Sequence, residues 1–207
     1  MTKSDGLLLY EYPGTRSARC RWTLQELNVP FSGISIDFKG GGHRDPEFLK
    51  LNPYGRVPVL VEGDMVLCES AAICLYLGDR YPDRELLPEA GTRDRGYHDQ
   101  WVFFCTNELE QPLWRIFHQS VLYPEDKRLP GDIEFAREDF KGAARILEEF
   151  LHNKHYLVGD RFTVADIITS YTLYWADSYG LLEGFPALQD YLVRQSERPA
   201  CPEELNR

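Results

Sequence analysis

The sequence predicts an α/β domain followed by an all-α domain, and three observations carry that prediction. In the N-terminal part, apolar runs of strand length alternate with apolar residues spaced for helices. The stretch after Pro82, "DRELLPEAGTRDR", is charged and rich in turn formers. Beyond it, every periodic segment has helical spacing. The domains are accordingly placed at residues 1–82 and 94–207, with 83–93 as the linker.

The elements follow in order. "LLLYEY", residues 7–12, is apolar enough for a strand covered on both faces. Over 17–27, Cys20, Leu24 and Leu27 recur at three- and four-residue steps, the period of a helix. "GISIDF" sets Ile34, Ile36 and Phe38 on one side of a second strand. "KGGGHRD" is a loop, after which Asp45 and Pro46 open a short helix. Two apolar stretches then flank Gly63-Asp64, the pattern of a tight hairpin. "ESAAICLYLGDRYP" closes the first domain as a helix, with Ala72, Leu75 and Tyr76 on its apolar side. A strand–helix–strand start implies a right-handed crossover and parallel pairing, and the hairpin adds antiparallel strands to the same sheet.

In the second domain one helix is expected over 94–117, bent near Pro112. A second covers 132–151, where Ile133, Ala136, Phe140, Ala143, Leu147 and Leu151 form one stripe. A third begins at "TVADIITSYTLYWADSYG", with Val164, Ile168, Tyr171 and Trp175 at helical spacing. "PALQDYLVRQS" is a shorter fourth.

Composition narrows the function. The formal charge of −10 over 207 residues leaves no basic footprint for nucleic acid or for anionic membranes. The first residues lack a signal-peptide pattern, and no stretch reaches the roughly 20 apolar residues that span a bilayer. The five cysteines include no C-x-x-C pair and lie away from the histidines, so free thiols in a reducing cytoplasm are expected and a metal site is not.

Three stretches in register, "GGGHRDPEFLKLNPYGRVPVL" (40–60), "ESAAICLYL" (69–77) and "LVGDRFTVADI" (157–167), resemble the soluble glutathione S-transferase family. Their order and spacing extend the resemblance over essentially the whole chain, as in a bacterial-type member with a Ser/Thr-like active-site loop. It implies a thioredoxin-like N-terminal domain that binds glutathione and a helical domain that lines the pocket for a hydrophobic electrophile. It also implies a homodimer and a transferase activity of the detoxifying kind, with glutathione as co-substrate.

The resemblance assigns residues as well. In the family the proline matching Pro58 follows a cis peptide bond, and the Val57 backbone pairs with the ligand as a short added strand. Glu69 and Ser70 start a helix, whose N-terminal N–H groups attract the γ-glutamyl carboxylate; Glu69 takes the ligand's ammonium and Ser70 adds a hydroxyl. The glycyl carboxylate needs a cation, for which His43 and Arg56 are the candidates. The His43 loop resembles the insect-type delta class. Thr163 and Asp166 form a capping box, a folding device without chemistry.

The reaction requires a thiolate, and a free thiol with a pKa of about 8.5 is little ionised at neutral pH. A hydroxyl donor just after the first strand would favour the ionised form. In "PGTRSARC", counting back from the helix end places the donor of serine- and cysteine-type relatives within 14–16, where Thr15 is the hydroxyl. Ser17, just beyond, reads as a helix N-cap and stands second, while Tyr12, which fits the tyrosine-type classes, stands third. Arg16 occupies the place of a catalytic cysteine in some relatives, which removes a cysteine-type mechanism and offers a cation to thiolate or carboxylate. Cys20, one turn into the helix, is expected to face the core. For the electrophile pocket the candidates are Tyr97, Trp101, Phe104 and Tyr171, with Trp114 and Trp175 read as core packing. The same fold also serves glutathione-dependent disulfide reductases and non-catalytic glutathione-binding modules.

Overall fold

In the computed structural model, residues 6–205 are described. They form two compact units. One gathers the chain up to Leu87 together with the segment from Arg198 onward, and the other runs from Pro88 to Glu197. Residues 198–205, placed in the 94–207 domain on sequence, group with the first unit. The outermost ends of the expected domains, 1–5 and 206–207, lie outside the described residues.

The first unit is built on a four-stranded sheet. Its strands are β1 (Leu7–Glu11), β2 (Phe31–Ser35), β3 (Val59–Glu62) and β4 (Met65–Cys68), in the order β2-β1-β3-β4. β1 pairs parallel with β2 through the crossover helix α1 (Ser17–Glu26), and antiparallel with β3. β3 and β4 form the hairpin about Gly63-Asp64. Helix α3 (Ser70–Arg80) packs with α1 on one face of the sheet, burying Leu24 and Leu27 with Ile73 and Leu77. On the other face the short α2 (Pro46–Leu51) brings Phe48 against Ile36 and Val59. Full burial of such a side chain contributes roughly 1.5–3 kcal/mol, which makes this two-sided core the main support of the unit.

Two expectations shift here. The second strand spans Phe31–Ser35 rather than 33–38. The five residues of β1 set the ladder from Leu7↔Phe31 to Glu11↔Ser35, and the bond from Ile36 N–H to the Glu11 carbonyl ends it. The alternation of Ile36 and Phe38 continues as packing instead of pairing. On α3 the buried side carries Ile73, Cys74, Leu77 and Gly78, not Ala72, Leu75 and Tyr76. Ile73 and Leu77 are the larger aliphatics one turn apart, and Gly78 leaves room for Leu87, whose side chain would lie 2.6 Å from an added Cβ. Tyr76 turns outward and donates its hydroxyl proton to Glu62.

The second unit contains α4 (Arg93–Phe104), α5 (Glu110–Phe117), α6 (Pro130–Leu151), α7 (Val164–Ser178) and α8 (Pro186–Ser196). The long helix expected over 94–117 is interrupted earlier than Pro112, by a wide π turn at Cys105–Leu109. Pro112 is the third residue of α5 and cannot bond the carbonyl four residues back, so the ladder loosens in the turn before it. α6 buries Ala136, Phe140, Ala143, Ala144, Leu147 and Leu151, and Ile133 is only half-buried.

The start of α7 is heavily tied. The fully buried Asp166 carboxylate accepts from the Thr163 N–H and hydroxyl, the Leu157 N–H at 2.9 Å and the Tyr191 hydroxyl at 2.7 Å. The capping box is in place. Burial pushes the Asp166 carboxyl up, and these donors oppose that shift. The neighbouring Ala165 N–H donates to buried His98 Nε2 at 3.1 Å. Among the described residues, no helix is long and apolar enough to cross a membrane.

Candidate functional site

The loop after β1 is a knot of short-range bonds. Gly14 takes φ +72°, which allows the chain to turn sharply after Pro13. Its N–H donates to Glu204 at 2.8 Å, from the returning C-terminal segment of the same unit. The Thr15 hydroxyl lies 2.6 Å from the Tyr12 carbonyl and 2.7 Å from Ser17 Oγ. Ser17 Oγ is itself 2.9 Å from that carbonyl and accepts from the Tyr12 N–H at 3.1 Å.

Ser17 therefore does not cap the helix as its sequence position suggested. Arg16 holds the N-cap position, and Ser17 is the first helical residue, its hydroxyl folded back onto Tyr12. The Ser17 hydroxyl is instead engaged with the Tyr12 N–H and carbonyl, at 3.1 and 2.9 Å. Thr15 is partly exposed and Ser17 is 2% exposed, so Thr15 carries the more open hydroxyl. The Tyr12 ring packs on Phe38 at 5.1 Å.

Beside this loop lies a cleft of about 310 Å³ lined by Arg16, Asn52, Tyr54, Arg56, Val57, Pro58, Glu69 and Ser70. Three segments far apart in sequence meet there. The middle one is shaped by Asn52, at the end of α2. Its side chain donates to the Arg56 carbonyl at 2.8 Å and accepts from the Tyr54 N–H at 3.1 Å. Gly55, at φ +63°, passes so close to His43 that an added Cβ would sit 2.5 Å from its carbonyl oxygen. The Val57–Pro58 peptide bond that follows is cis.

The third segment is the start of α3. Glu69 is at φ +69°, ψ +113°, a conformation rare outside glycine, and occupies the N-cap position. Ser70 is buried, and its Oγ accepts from Arg19 Nη1 at 3.2 Å. As the acceptor in that bond, Ser70 keeps its own proton for the cleft. Arg19, 1% exposed, thus brings a cation beneath the helix N-terminus, where the dipole is already positive. Sequence reasoning missed Arg19 and Asn52. The available signal was a charged residue among Cys20, Trp22 and Leu24 on the inward side of α1.

The cleft thus carries two guanidinium groups, a carboxylate, a hydroxyl and a helix N-terminus within one concavity. That set complements a small ligand with separated carboxylates and an ammonium. His43 lies outside it, stacked on Phe38 at 4.7 Å with its Nδ1 buried and without a hydrogen bond. No cysteine lines this cleft, and the one thiol that its hydrogen bonds from Cys20 and Thr23 lower, that of Cys74, is fully buried. Burial raises the Cys20 thiol, helped by its neighbour Cys74, and raises Cys68. It pushes Cys201 up to about 12.

In the helical unit, Tyr97 and Trp101 line a groove of about 560 Å³ together with Ile146, Phe150, Leu157 and Val158. Phe104 is half-buried edge-on to Trp101 at 5.4 Å, and Tyr171 lies in the helical core; neither lines the groove. Trp114 and Trp175 are half-buried, edge to face at 6.2 Å, in a cluster with Phe117 and His118. Among the described residues, no group of three or more His, Cys, Asp or Glu is placed to hold a metal ion.

Comparison with known proteins bears on both units. Residues 6–79 match the family model "Glutathione S-transferase, N-terminal domain", and residues 118–199 match "Glutathione S-transferase, C-terminal domain". The chain is 33% identical to Glutathione S-transferase 1 of Dianthus caryophyllus, over 97% of this chain and 93% of that one. It is 29% identical to Glutathione S-transferase GstA of Escherichia coli O157:H7, covering 96% of each. Among solved structures, the glutathione transferase URE2P6 from Phanerochaete chrysosporium, in complex with oxidized glutathione, superposes with a TM-score of 0.87. It shares 30% identity over 99% of this chain and 96% of that one.

Proposed function

Because the chain belongs to the glutathione S-transferase family and is a glutathione-dependent enzyme of that type, we propose that it conjugates glutathione to hydrophobic electrophiles. The observation that carries this reading is the single cleft shared by Arg16, Arg56, Val57, Pro58, Glu69 and Ser70. In it the γ-glutamyl carboxylate meets the start of α3 and Ser70, and the ligand ammonium meets Glu69. The glycyl carboxylate meets Arg56, and the Val57 backbone pairs with the cysteinyl backbone. The sulfur is thereby directed to the neighbouring loop, where Thr15 donates a hydrogen bond to the thiolate and Arg16 adds a positive charge. His43 has a secondary place, as a wall of the loop that Gly55 crosses.

Ionisation releases the thiol proton to solvent. The thiolate pair forms the new C–S bond, and the leaving group departs with the electrons of the bond that breaks. Within the helical unit, the apolar groove lined by Tyr97 and Trp101 is the proposed surface for the electrophile. The working protein is a homodimer. Calorimetric titration with glutathione, followed by turnover of an aryl halide, tests the reading: binding with conjugation is expected, and no binding would sink it.

A second reading is disulfide reduction, supported by the bound oxidized glutathione of the fungal relative. Turnover of hydroxyethyl disulfide exceeding that of the aryl halide would favour it.

A further inference from the structure

Counting protons in the loop after β1 leads to a second hydroxyl. Thr15 and Ser17 have one hydroxyl proton each, yet their oxygens make three close approaches. Thr15 Oγ1 is 2.6 Å from the Tyr12 carbonyl, Ser17 Oγ is 2.9 Å from it, and the hydroxyls are 2.7 Å from each other. The Tyr12 N–H fixes Ser17 Oγ from the far side at 3.1 Å, and the Ser17 N–H points to Thr15 Oγ1 at 3.4 Å.

At rest, two arrangements satisfy every group: Ser17 donates to Thr15 and Thr15 to the Tyr12 carbonyl, or Thr15 donates to Ser17 and Ser17 to that carbonyl. A thiolate at the cleft changes the account. In the first arrangement, Thr15 must leave the Tyr12 carbonyl to give its proton to sulfur, and a carbonyl left without a donor in this half-buried loop is costly. Such a cost would cancel much of what the new bond gains. Ser17 Oγ, already within bonding distance of the same carbonyl, removes it by turning its proton there. The Ser17 N–H remains as a donor to Thr15 Oγ1.

We propose that Ser17 is a positioning residue for thiol activation, taking over the Tyr12 carbonyl so that Thr15 can donate to the glutathione sulfur. The proposal rests on the reading above that Thr15 is the thiolate's donor. Ser17 never meets the ligand; it is 2% exposed and acts through its neighbour. Its burial, a plain feature of a structural serine, is what keeps solvent from supplying the replacement bond instead.

The test is the pKa of the thiol in the enzyme–glutathione complex, read from thiolate absorbance against pH, in Thr15→Ala, Ser17→Ala, the double variant and Ser17→Thr. Thr15→Ala is expected to raise it by about one unit, which is tenfold less thiolate at neutral pH. Ser17→Ala is expected to raise it by a comparable amount with glutathione affinity within about twofold, and the double variant no further. Ser17→Thr restores the parent value. If Ser17→Ala fails to fold, Ser17→Cys replaces it, keeping the volume with a weak donor.

An unchanged pKa in a folded Ser17→Ala or Ser17→Cys protein, beside a raised one in Thr15→Ala, would overturn the role of Ser17 alone. An unchanged value in Thr15→Ala overturns the donor assignment itself. Additive shifts would mean two independent donors and reject the exchange.

Discussion

Single residues set the cleft's shape more than its area does. Gly55 is the clearest case, because both its positive φ and its approach to the His43 carbonyl exclude a side chain. Gly55→Ala is expected to cost about 2–3 kcal/mol and to weaken glutathione binding, since Arg56 and Val57 are carried on the same turn. Denaturant unfolding and calorimetric titration would check the pair of effects; a stable variant with full affinity contradicts the account. Ser70 is held by Arg19 from below and presents its proton to the cleft. Ser70→Ala is expected to raise the glutathione Kd roughly tenfold, the worth of one hydrogen bond to a charged group. Because it also takes away an acceptor of the buried Arg19 guanidinium, the melting temperature is expected to fall as well. A drop in stability without a change in Kd would make Ser70 a partner of Arg19 and nothing more.

At the scale of elements, α5 and α6 are joined by Arg115, which pairs with Asp132 and, at 2.5 Å, with Asp139. The Arg115 guanidinium holds the Asp132 carboxyl below its usual range. A depressed carboxyl contributes stability above its unfolded pKa of about 3.9 and loses it as pH falls through the lower folded value. Unfolding free energy should therefore fall more steeply below about pH 4 in the parent than in Asp132→Asn. Denaturant titrations between pH 2.5 and 6, values chosen to bracket roughly that window, decide it; parallel curves would remove the pair from acid unfolding. These elements also show how far the sequence could be read. The helices and the hairpin were legible because their apolar spacing is local, as in Phe140, Ala143 and Leu147 of α6. The π turn at Cys105–Leu109 was not, because Pro112 signals a defect without saying which preceding turn absorbs it. The cleft was legible at Val57, Pro58, Glu69 and Ser70, where motifs carry it. It was hidden at Asn52, Arg19 and the Ser17 bonds, which depend on where side chains meet after folding.

The whole molecule divides by contact and not by sequence, since the α/β unit includes the segment from Arg198 onward. Arg198 grips Glu26 with two bonds of 2.7 and 2.9 Å, Trp22 adds a third to the same carboxylate, and Glu204 holds the Gly14 amide. Ending the chain at Glu197 is expected to destabilise the α/β unit by about 2–4 kcal/mol and to raise the glutathione Kd, because both the α1 anchor and the loop tether go. Thermal melting with and without glutathione would measure both; an unaltered melting temperature contradicts the grouping. The same clamp bears on biosynthesis. Domains form as units while a chain is being made, the N-terminal one first. Here the partner of Glu26 lies 172 residues downstream. The nascent α/β unit can assemble its sheet early, but the loop about Gly14 stays without its anchor until the helical unit has been translated in full. The anchored loop is thus a late event in the making of the chain, although every residue that lines the cleft is made early.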